Sequence, residues 1–428
     1  MIATGTGTQA AMDTFVHETG GWIASQLEAC TRCGICASAC HFYQATGNLD
    51  FAPVWKVELL RRAYEQRFTV IGRLLTALGL RRRISDEDLA EWSKVVYEAC
   101  TVCNRCALVC PMGIQLGPLI HDVRVGLAAA GVVPDDLMSS VNKQLSEGSP
   151  LGVTDEVFAQ RLEWVADEWD VELPLDVEGA DTLVVFSSIE VMKFPENLAD
   201  IARLLNAAGE RWTLSTQGRE SVNFGFYEGN EEHTKEILHR VFDAAKALGV
   251  KRIMVTECGH AYDALRWAAP NLIDVGGIEV THIVAVLDEL VRAGRLTLRI
   301  GGAEQDGGLT FHDACKIQRR GGHIEEPRRL LKIIAPTSFR EMTPNREAAI
   351  CCGGGGGVIA IKEADANRFA AFGLKLDQIR QTGADTVVMV CSNCRLQFLD
   401  GIEHFGSDVK VRGLSQLVAG ALETPDGG

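Results

Sequence analysis

The chain has 428 residues, of which 46% are apolar and 23% are charged, so it is an ordinary globular protein with room for two or three domains. Its net charge of −15 excludes general nucleic-acid binding, and no stretch is apolar enough to predict a signal peptide or a membrane span. The 14 cysteines are clustered, which favours metal ligation in a reducing, cytoplasmic compartment over a disulfide framework.

Two cysteine quartets share the spacing C-x2-C-x2-C-x3-C, which is the bacterial ferredoxin run. In that run the fourth cysteine binds the other cluster. We therefore predict two cubane [4Fe–4S] clusters in an all-α ferredoxin-type domain over residues 1–130. The first would be held by Cys30, Cys33, Cys36 and Cys110, and the second by Cys100, Cys103, Cys106 and Cys40. Zinc and disulfides are the alternatives, but structural zinc usually uses two separated C-x-x-C knuckles.

A basic, amphipathic stretch, residues 61–83, lies between the quartets of this otherwise acidic chain. Its charges are typical of a solvated helix face. The mixture of arginine and leucine also suits docking on a membrane partner or on the lipid surface. The stretch is too short and too charged to span a bilayer, and the sequence leaves both interpretations open.

Residues 131–180 are predicted to be an acidic linker, and an alternation of strands and helices follows them. Short β-branched runs predict buried parallel strands at residues 182–186, 252–256, 309–312 and 386–390. The amphipathic stretches between them end at glycine, as helices do. The C-terminal part is therefore predicted to have a layered α/β fold.

The α/β part looks internally duplicated, with halves at 181–300 and 301–428 whose matching strand ends lie about 133 residues apart. In the first half, Ser188 and Thr216-Gln217 stand where the second half has cysteines, so we predict that this half is degenerate. Cys258, close to His260, is the cysteine that remains there. This pair is either a vestige or faces the second half and takes part in thiol chemistry.

Five cysteines of the second half are predicted to lie at strand ends or in the loops that follow: Cys315, Cys351, Cys352, Cys391 and Cys394. Ligands of open α/β sheets bind at the carboxyl ends of the strands. Five thiolates exceed the need of a cubane, and two are adjacent, which favours an unusual cluster geometry. Zinc, or a cubane with a spare cysteine, is the alternative. The run Gly353–Gly357 lets the backbone approach a cluster and lacks the G-K-[ST] continuation of a phosphate loop.

Polar residues also accompany these cysteines in the sequence: His312, Asp313, Lys316, Arg319, Arg320, His323 and Arg395. Cations beside a multi-thiolate site would lower the thiol pKa values and stabilise a leaving thiolate. Each of them singly is also explained as a solvated surface charge.

Over nearly its whole length the chain resembles the catalytic iron–sulfur subunit of heterodisulfide reductases. Within that family it looks most like the K subunit of the Dsr membrane complex and the related Hdr-like menaquinol oxidoreductases. The resemblance is carried by both quartets and by residues 189–215, 223–226, 257–265, 312–315, 351–357 and 391–394. It implies two Rossmann-like CCG half-domains, degenerate at 181–300, and a noncubane [4Fe–4S] cluster in the CCG domain at 301–428. The cluster ligands would be Cys315, Cys351, Cys352, Cys391 and Cys394.

The resemblance further implies thiol–disulfide chemistry at this single noncubane cluster. Cys258 and His260 are additional catalytic candidates from their position in the sequence. Electrons would pass through the two cubanes to or from a NarI-like membrane cytochrome b subunit. The substrate would be a small sulfur-carrier protein or a low-molecular-weight disulfide. The chain would be cytoplasmic and peripherally associated with the inner membrane, and no flavin or nucleotide is expected on it. The alternatives are an electron-transfer subunit of a flavin-dependent 2-hydroxy-acid dehydrogenase and a non-catalytic adaptor.

Overall fold

The computed structural model describes residues 6–423, which form two compact units. The first unit contains the residues up to Val141, together with Phe224–Thr234 and Gly353–Leu374. The second contains Asn142–Asn223, Lys235–Cys352 and the residues from Lys375 onward. Within residues 6–423, no helix is both long enough and apolar enough to cross a membrane.

The first unit is helical around an apolar core. Its buried side chains include Phe15, Leu60 and Leu119, and the late segment Gly353–Leu374 adds Val358 and Ile361 to the same core. The helices that begin before residue 141 are α1 Thr6–Glu18, α2 Gly21–Ala29, α3 His41–Thr46, α4 Pro53–Lys56, α5 Glu58–Phe68, α6 Val70–Ala77, α7 Asp86–Ser93, α8 Arg105–Leu108, α9 Leu116–Ala129 and α10 Asp135–Glu147.

The basic stretch 61–83 is not one continuous helix. Helix α5 ends at Phe68, and α6 begins after Thr69, whose side chain accepts a hydrogen bond from the Gly72 N–H at 3.0 Å. Thr69 has an extended backbone, as helix N-caps do, so the chain changes direction at this residue. The predicted linker 131–180 is also folded, because α10 and α11 (Asp155–Trp169) occupy much of it and α11 buries Phe158 and Leu162.

The second unit contains two four-stranded sheets in which every strand pairs in parallel. The first has the order β2-β1-β3-β4, with β1 Thr182–Val185, β2 Trp212–Thr213, β3 Arg252–Val255 and β4 Glu279–His282. The second has the equivalent order β6-β5-β7-β8, with β5 Leu309–Phe311, β6 Phe339–Arg340, β7 Thr386–Met389 and β8 Lys410–Gly413. The prediction of an α/β C-terminal part is thus confirmed.

Helices connect the strands, as right-handed parallel crossovers require. The amphipathic stretches that predicted helices coincide with α13, α15 and α20, and each is followed by a glycine with positive φ. The remaining helices are α12 Ser188–Lys193, α13 Pro195–Ala207, α14 Phe224–Glu228, α15 Glu231–Ala247, α16 Gly259–Asp263, α17 Ala269–Leu272, α18 Ile283–Arg292, α19 Glu326–Ile334, α20 Asp365–Thr382, α21 Ser392–His404 and α22 Leu414–Gly420.

The strand order creates a switch point in each sheet. The chain leaves β5 for β6 on one side and then returns to β7 on the other, so the loops after β5 and β7 diverge from adjacent strands. A crevice at the carboxyl ends of such strands is the usual ligand site of open α/β sheets. The loop after β5 leads to Cys315, and Cys391 follows β7.

Candidate metal centres

The first candidate centre lies in the first unit and brings together cysteines from both quartets. Four cysteines line one small space: Cys30, Cys33, Cys36 and Cys110. The loop that carries three of them turns sharply, with positive φ at Arg32 (57°) and Gly34 (78°). This turn directs three thiols toward one point, while Cys110 reaches that point from the other quartet.

The second candidate centre repeats this arrangement. Another small space is lined by Cys40, Cys100, Cys103 and Cys106. Its loop also has positive φ on either side of the middle cysteine, at Val102 (50°) and Asn104 (57°). The Asn104 side chain stabilises the turn by accepting the Gly117 N–H at 3.0 Å. Each space is therefore lined by three cysteines of one quartet and one of the other.

A buried cation distinguishes the second centre from the first. Lys56 is 1% exposed, lines the same space, and its ammonium lies 3.8 Å from Cys40 Sγ while donating to the Ala99 carbonyl. His41 also lines this space, and burial lowers its pKa, which keeps the ring neutral. Cys33 of the first centre, by contrast, is exposed to solvent.

The chemistry of these thiols fits a metal cluster. Burial raises the pKa of Cys36 to about 11, and it also raises the pKa values of Cys100 and Cys106. Thiols crowded in an apolar site cannot ionise together without a cation, whereas a metal binds the thiolate and displaces its proton. Within the described residues the cysteines form no disulfide.

The third candidate centre lies in the second unit at the switch point between β5 and β7. Cys315 and Cys351 approach to 3.9 Å between their sulfur atoms. Cys394 hydrogen-bonds with both Cys352 and Cys391, and these two contacts are the leading reasons that its pKa is raised well above the ordinary value. The five predicted cysteines of this half are all buried.

Cys391 occupies the N-cap of α21, which places Cys394 in the first turn of that helix. The pKa of Cys391 is lowered, first by the hydrogen bond from Cys394 and then by backbone N–H groups, against the effect of burial. One of those donors is the Gly259 N–H, at 3.4 Å from Cys391 Sγ. A thiolate acceptor surrounded by N–H donors is therefore built at the start of this helix.

His312 is a potential metal ligand. The sequence showed it near the cysteines but did not predict that it binds a metal. A nitrogen of its ring and the sulfur atoms of Cys352 and Cys394 all lie within 4.8 Å of one another. His312 is fully buried, burial lowers its pKa far below the ordinary value, and neither ring nitrogen has a hydrogen-bond partner in the described part of the chain. A buried, neutral imidazole without partners fits a site completed by a metal group.

The cations predicted to act on these thiols are engaged elsewhere. Lys316 and Arg320 both pair with the buried carboxylate of Asp263, at 2.7 and 2.6 Å. Arg395 pairs with Glu196 at 2.9 Å, and Arg319 donates to the carbonyls of Glu347 and Ala349. The lowered pKa of Cys391 thus comes mainly from hydrogen bonds. Asp313 and His323 also face other partners, Arg328 at 2.8 Å and the Tyr262 hydroxyl at 3.0 Å.

Cys258 and His260 face the second half of this unit. Cys258 caps α16 as Cys391 caps α21, and its pKa is raised by burial first and then by the nearby Cys391. His260 is 6% exposed, and burial is the main cause that lowers its pKa to about 4, with Lys316 contributing. The geometry therefore places Cys258 beside Cys391, and His260 beside Lys316.

Buried carboxylates lie in the first half, near positions that were predicted to have lost their thiols. The Ser188 N–H donates to Glu220, whose carboxylate also accepts from Ser149 and from the Val222 N–H. Glu190 and Glu257 lie at the ends of the neighbouring segments, and the Glu257 N–H donates to Glu190 at 3.1 Å. Thr216, predicted to replace a thiol, instead hydrogen-bonds Asp176 at 2.8 Å. Isolated glutamates follow no recognised spacing, so the sequence does not predict that these carboxylates form a cluster.

Comparison with known families agrees with these sites. A 4Fe-4S dicluster domain model matches residues 26–114, and a cysteine-rich (CCG) domain model matches residues 309–399. The Hdr-like menaquinol oxidoreductase iron–sulfur subunit of Archaeoglobus profundus is 26% identical over 92% of this chain and 79% of its own length. One subunit of the dihydromethanophenazine:CoB–CoM heterodisulfide reductase of Methanosarcina acetivorans is 27% identical over 93% of this chain and 94% of its own.

The resemblance to heterodisulfide reductase iron–sulfur subunits is confirmed. A more distant relative is the EtfAB:quinone oxidoreductase of Syntrophomonas wolfei, 24% identical over 93% of this chain and 58% of its own length. Among solved structures, a hypothetical protein from Helicobacter pylori has a TM-score of 0.51 at 11% identity, covering 98% of this chain and 77% of the other. That likeness concerns the fold alone. The dicluster match supports iron–sulfur clusters within residues 26–114, and the cysteine-rich match spans the five cysteines of the second half.

Proposed function

We propose that this chain is an Hdr-like iron–sulfur oxidoreductase subunit that carries out thiol–disulfide chemistry at a noncubane [4Fe–4S] cluster. The observation that carries the proposal is the convergence of five buried cysteines and the unpartnered ring of His312 at a switch point of a parallel sheet. The cluster would be held by Cys315, Cys351, Cys352, Cys391 and Cys394. In the same proposal, the two sheets are Rossmann-like CCG halves, of which the first is degenerate.

The two quartet sites would hold cubane [4Fe–4S] clusters, with the ligand sets that line the two spaces of the first unit. Bound clusters supply reversible one-electron transfer, which thiols alone do not. Reduction of a disulfide to two thiols consumes two electrons and two protons, so an electron relay on the same chain suits this reaction. Oxidation of two thiols would release the same electrons and protons in the opposite direction.

Residues of the chain itself would position the reacting sulfur. Cys391 lies under the N-terminus of α21 and accepts the Gly259 N–H, an arrangement that favours the thiolate. Cys258 and His260 are proposed as catalytic candidates because they approach the same place from the first half. Neutral His260 could accept a proton there, since its pKa of about 4 leaves the ring unprotonated at neutral pH.

The proposed partners are a NarI-like membrane cytochrome b subunit and a small sulfur-carrier protein or low-molecular-weight disulfide. Support comes from relatives that are named as menaquinol oxidoreductase subunits and from the relative of Chromohalobacter salexigens named as a probable membrane-anchored ferredoxin. The chain would then lie in the cytoplasm and associate peripherally with the inner membrane.

Iron analysis with paramagnetic resonance tests the cluster content. We expect about 12 irons per chain and a third signal distinct from those of the two cubanes, since three clusters of four irons are proposed. A count of about 8 irons with ferredoxin-like signals alone would refute the noncubane cluster.

Substitution of one cysteine tests whether the third centre is catalytic. In Cys352→Ser we expect loss of disulfide reduction by the dithionite-reduced protein, with dithiothreitol disulfide as the probe, while both cubane signals persist. Val390→Ala, a buried position without a ligand atom, is the matched control for packing. Turnover retained in a fully assembled Cys352→Ser protein would contradict a catalytic role for the third centre.

A second candidate function is electron transfer to or from a flavoprotein, without substrate chemistry on this chain. The similarity to an EtfAB:quinone oxidoreductase favours it. Purification of the native complex separates the two candidates. A co-purifying flavoprotein together with an inactive third centre would support electron transfer, whereas a cytochrome b and disulfide turnover would support the proposal above.

A further inference from the structure

A surface segment of the first unit combines exposed apolar side chains with arginine. We call residues 67–83 the arginine–leucine tip. Its large apolar side chains with the greatest exposure are Val70 at 81%, Leu80 at 73%, Ile71 at 71%, Leu78 at 63% and Leu74 at 57%. Single exposed apolar residues are common on soluble proteins, but a run of five within eleven residues marks a surface that binds something.

The charge of the tip is opposite to that of the chain. Arg67, Arg73, Arg82 and Arg83 are exposed, and no aspartate or glutamate occurs between Gln66 and Ile84. The whole chain, by contrast, has a net charge of −15. An acidic protein is repelled by an anionic surface unless it presents a local basic patch, and this segment is such a patch.

The backbone holds the apolar side chains outward. Gly72 of α6 is buried so close to the end of α5 that an added Cβ would lie 2.1 Å from the Glu65 carbonyl oxygen. The Thr69 hydroxyl also donates to that carbonyl at 2.9 Å. Since this side of α6 is packed, Ile71, Leu74 and Leu78, at helical spacing, form the opposite, exposed side.

We propose that the arginine–leucine tip inserts into the surface of an anionic lipid bilayer. The apolar side chains would enter the boundary between headgroups and acyl chains, and the arginines would pair with lipid phosphates. Arg82 pairs with Asp88 at 3.4 Å, and exposed arginines also lie at positions 67, 73 and 83. Arginines interleaved with exposed aliphatic side chains complement both the phosphate layer and the acyl layer of a lipid surface, which favours lipid as the occupant. The proposal rests on the membrane association proposed above and adds that this chain contacts lipid directly.

Sedimentation with vesicles tests the proposal on the full, cluster-containing chain. The chain is expected to bind vesicles that contain phosphatidylglycerol, to bind pure phosphatidylcholine vesicles much more weakly, and to dissociate at high salt, because exposed charges are screened. In Ile71→Ser/Leu74→Ser, binding is expected to fall at least about tenfold, since the apolar contact is lost. Arg73→Gln/Arg83→Gln, at two exposed positions, is expected to abolish the preference for the anionic lipid.

Matched controls exclude general effects of the substitutions. Leu49→Ser/Ile300→Ser changes two aliphatic side chains that are 72% and 80% exposed elsewhere and should leave vesicle binding unchanged. Equal binding by the tip variants and the wild type would overturn the proposal. So would failure of the wild type to bind vesicles unless a membrane protein is added, which would assign the tip to a protein partner. Iron content and disulfide turnover should be normal in all variants, so failure here is distinguishable from failure of the proposed function.

Discussion

Lys56 shows how one side chain can make two similar metal sites unequal. Its ammonium is buried beside Cys40 and is flanked by the rings of Phe42 and Phe51 at 5.5 and 5.9 Å. The other quartet site has an exposed cysteine, Cys33. A buried positive charge stabilises the added electron of a reduced cluster, so the two proposed cubanes should differ in reduction potential.

The change Lys56→Met tests this difference. We expect the potential of the cluster at the second quartet site to fall by roughly 0.1 V, because a unit charge about 7 Å away contributes about 2 kcal/mol at an effective dielectric constant of about 20. Potentiometric titration followed by paramagnetic resonance measures it. Lys251→Met, which removes an exposed lysine, is the control, and Lys56→Arg should retain most of the wild-type potential. Identical potentials in wild type and Lys56→Met would contradict the argument.

Cysteine spacing is a local property, so the sequence could predict which cysteines gather, and the structure brings the same groups together. Their assignment as cluster ligands stays a prediction, and their surroundings had little signal in the sequence. His312, in contrast, becomes a candidate ligand because β5 and β7 are neighbours in the sheet, which brings residues about 80 positions apart together. Lys56 and the Glu190–Glu220–Glu257 cluster are likewise defined by tertiary contacts, and no sequence motif predicts them.

At the scale of elements, the glycine run is part of the first unit's packing as well as of the approach to Cys352. Gly356 has a φ of 62°, and an added Cβ would lie 2.8 Å from the backbone of Thr101, next to Cys100. Its carbonyl accepts a hydrogen bond from the buried Arg124 at 2.7 Å, and Arg124 also donates to the Cys100 carbonyl. The run therefore stabilises the loop that carries the second quartet.

Gly356→Ala should destabilise the protein by at least about 2 kcal/mol, because it combines a left-handed backbone with a close contact. The measurement is the thermal midpoint under anaerobic conditions, together with the signal of the second cubane. Gly420→Ala is the control, since Gly420 has open space around its Cα, and it should change the midpoint little. An unchanged midpoint in Gly356→Ala would show that the run is not constrained in this way.

Secondary structure was predictable where a local signal existed. The buried β-branched runs became β1, β3, β5 and β7, because continuous apolar stretches bounded by turns suit a parallel sheet covered on both faces. The break in the basic stretch had a signal as well, since Thr69 precedes an apolar run as an N-cap does. The shorter strands β2 and β6, two residues each, carry too little pattern to be recognised.

At the scale of the whole molecule, the sequence predicted that a helical part precedes an α/β part. It did not predict that later segments of the chain pack back into the first unit. Phe224–Thr234 and Gly353–Leu374 join the first unit although they follow or interrupt the sheets in sequence. Val358 and Ile361 pack in the core with the ferredoxin-type helices. Whether a segment packs back in this way depends on which apolar surfaces fit together. The hydrophobic periodicity of a single segment does not predict this.

Buried carboxylates should make the stability of the whole protein depend on pH. Burial raises the pKa of Glu220 and that of Glu257 to about 7, against an ordinary value of 4.5. Between about pH 4.5 and pH 7 the folded protein therefore binds more protons than the unfolded chain, so stability falls as the pH rises. For one such group the loss is complete above pH 7 and reaches about 3 kcal/mol at most.

Glu220→Gln isolates this effect, because glutamine is similar in shape and does not ionise. The Ser149 hydroxyl, which donates to Glu220 at 3.2 Å, can instead accept from the amide. Relative to wild type, the thermal midpoint of Glu220→Gln should rise between about pH 5 and about pH 8, because the wild type alone incurs the cost of burying a charge. Glu168→Gln, at an exposed position, is the control. A constant difference between wild type and Glu220→Gln across this range would mean that the carboxylate is solvated in the folded protein.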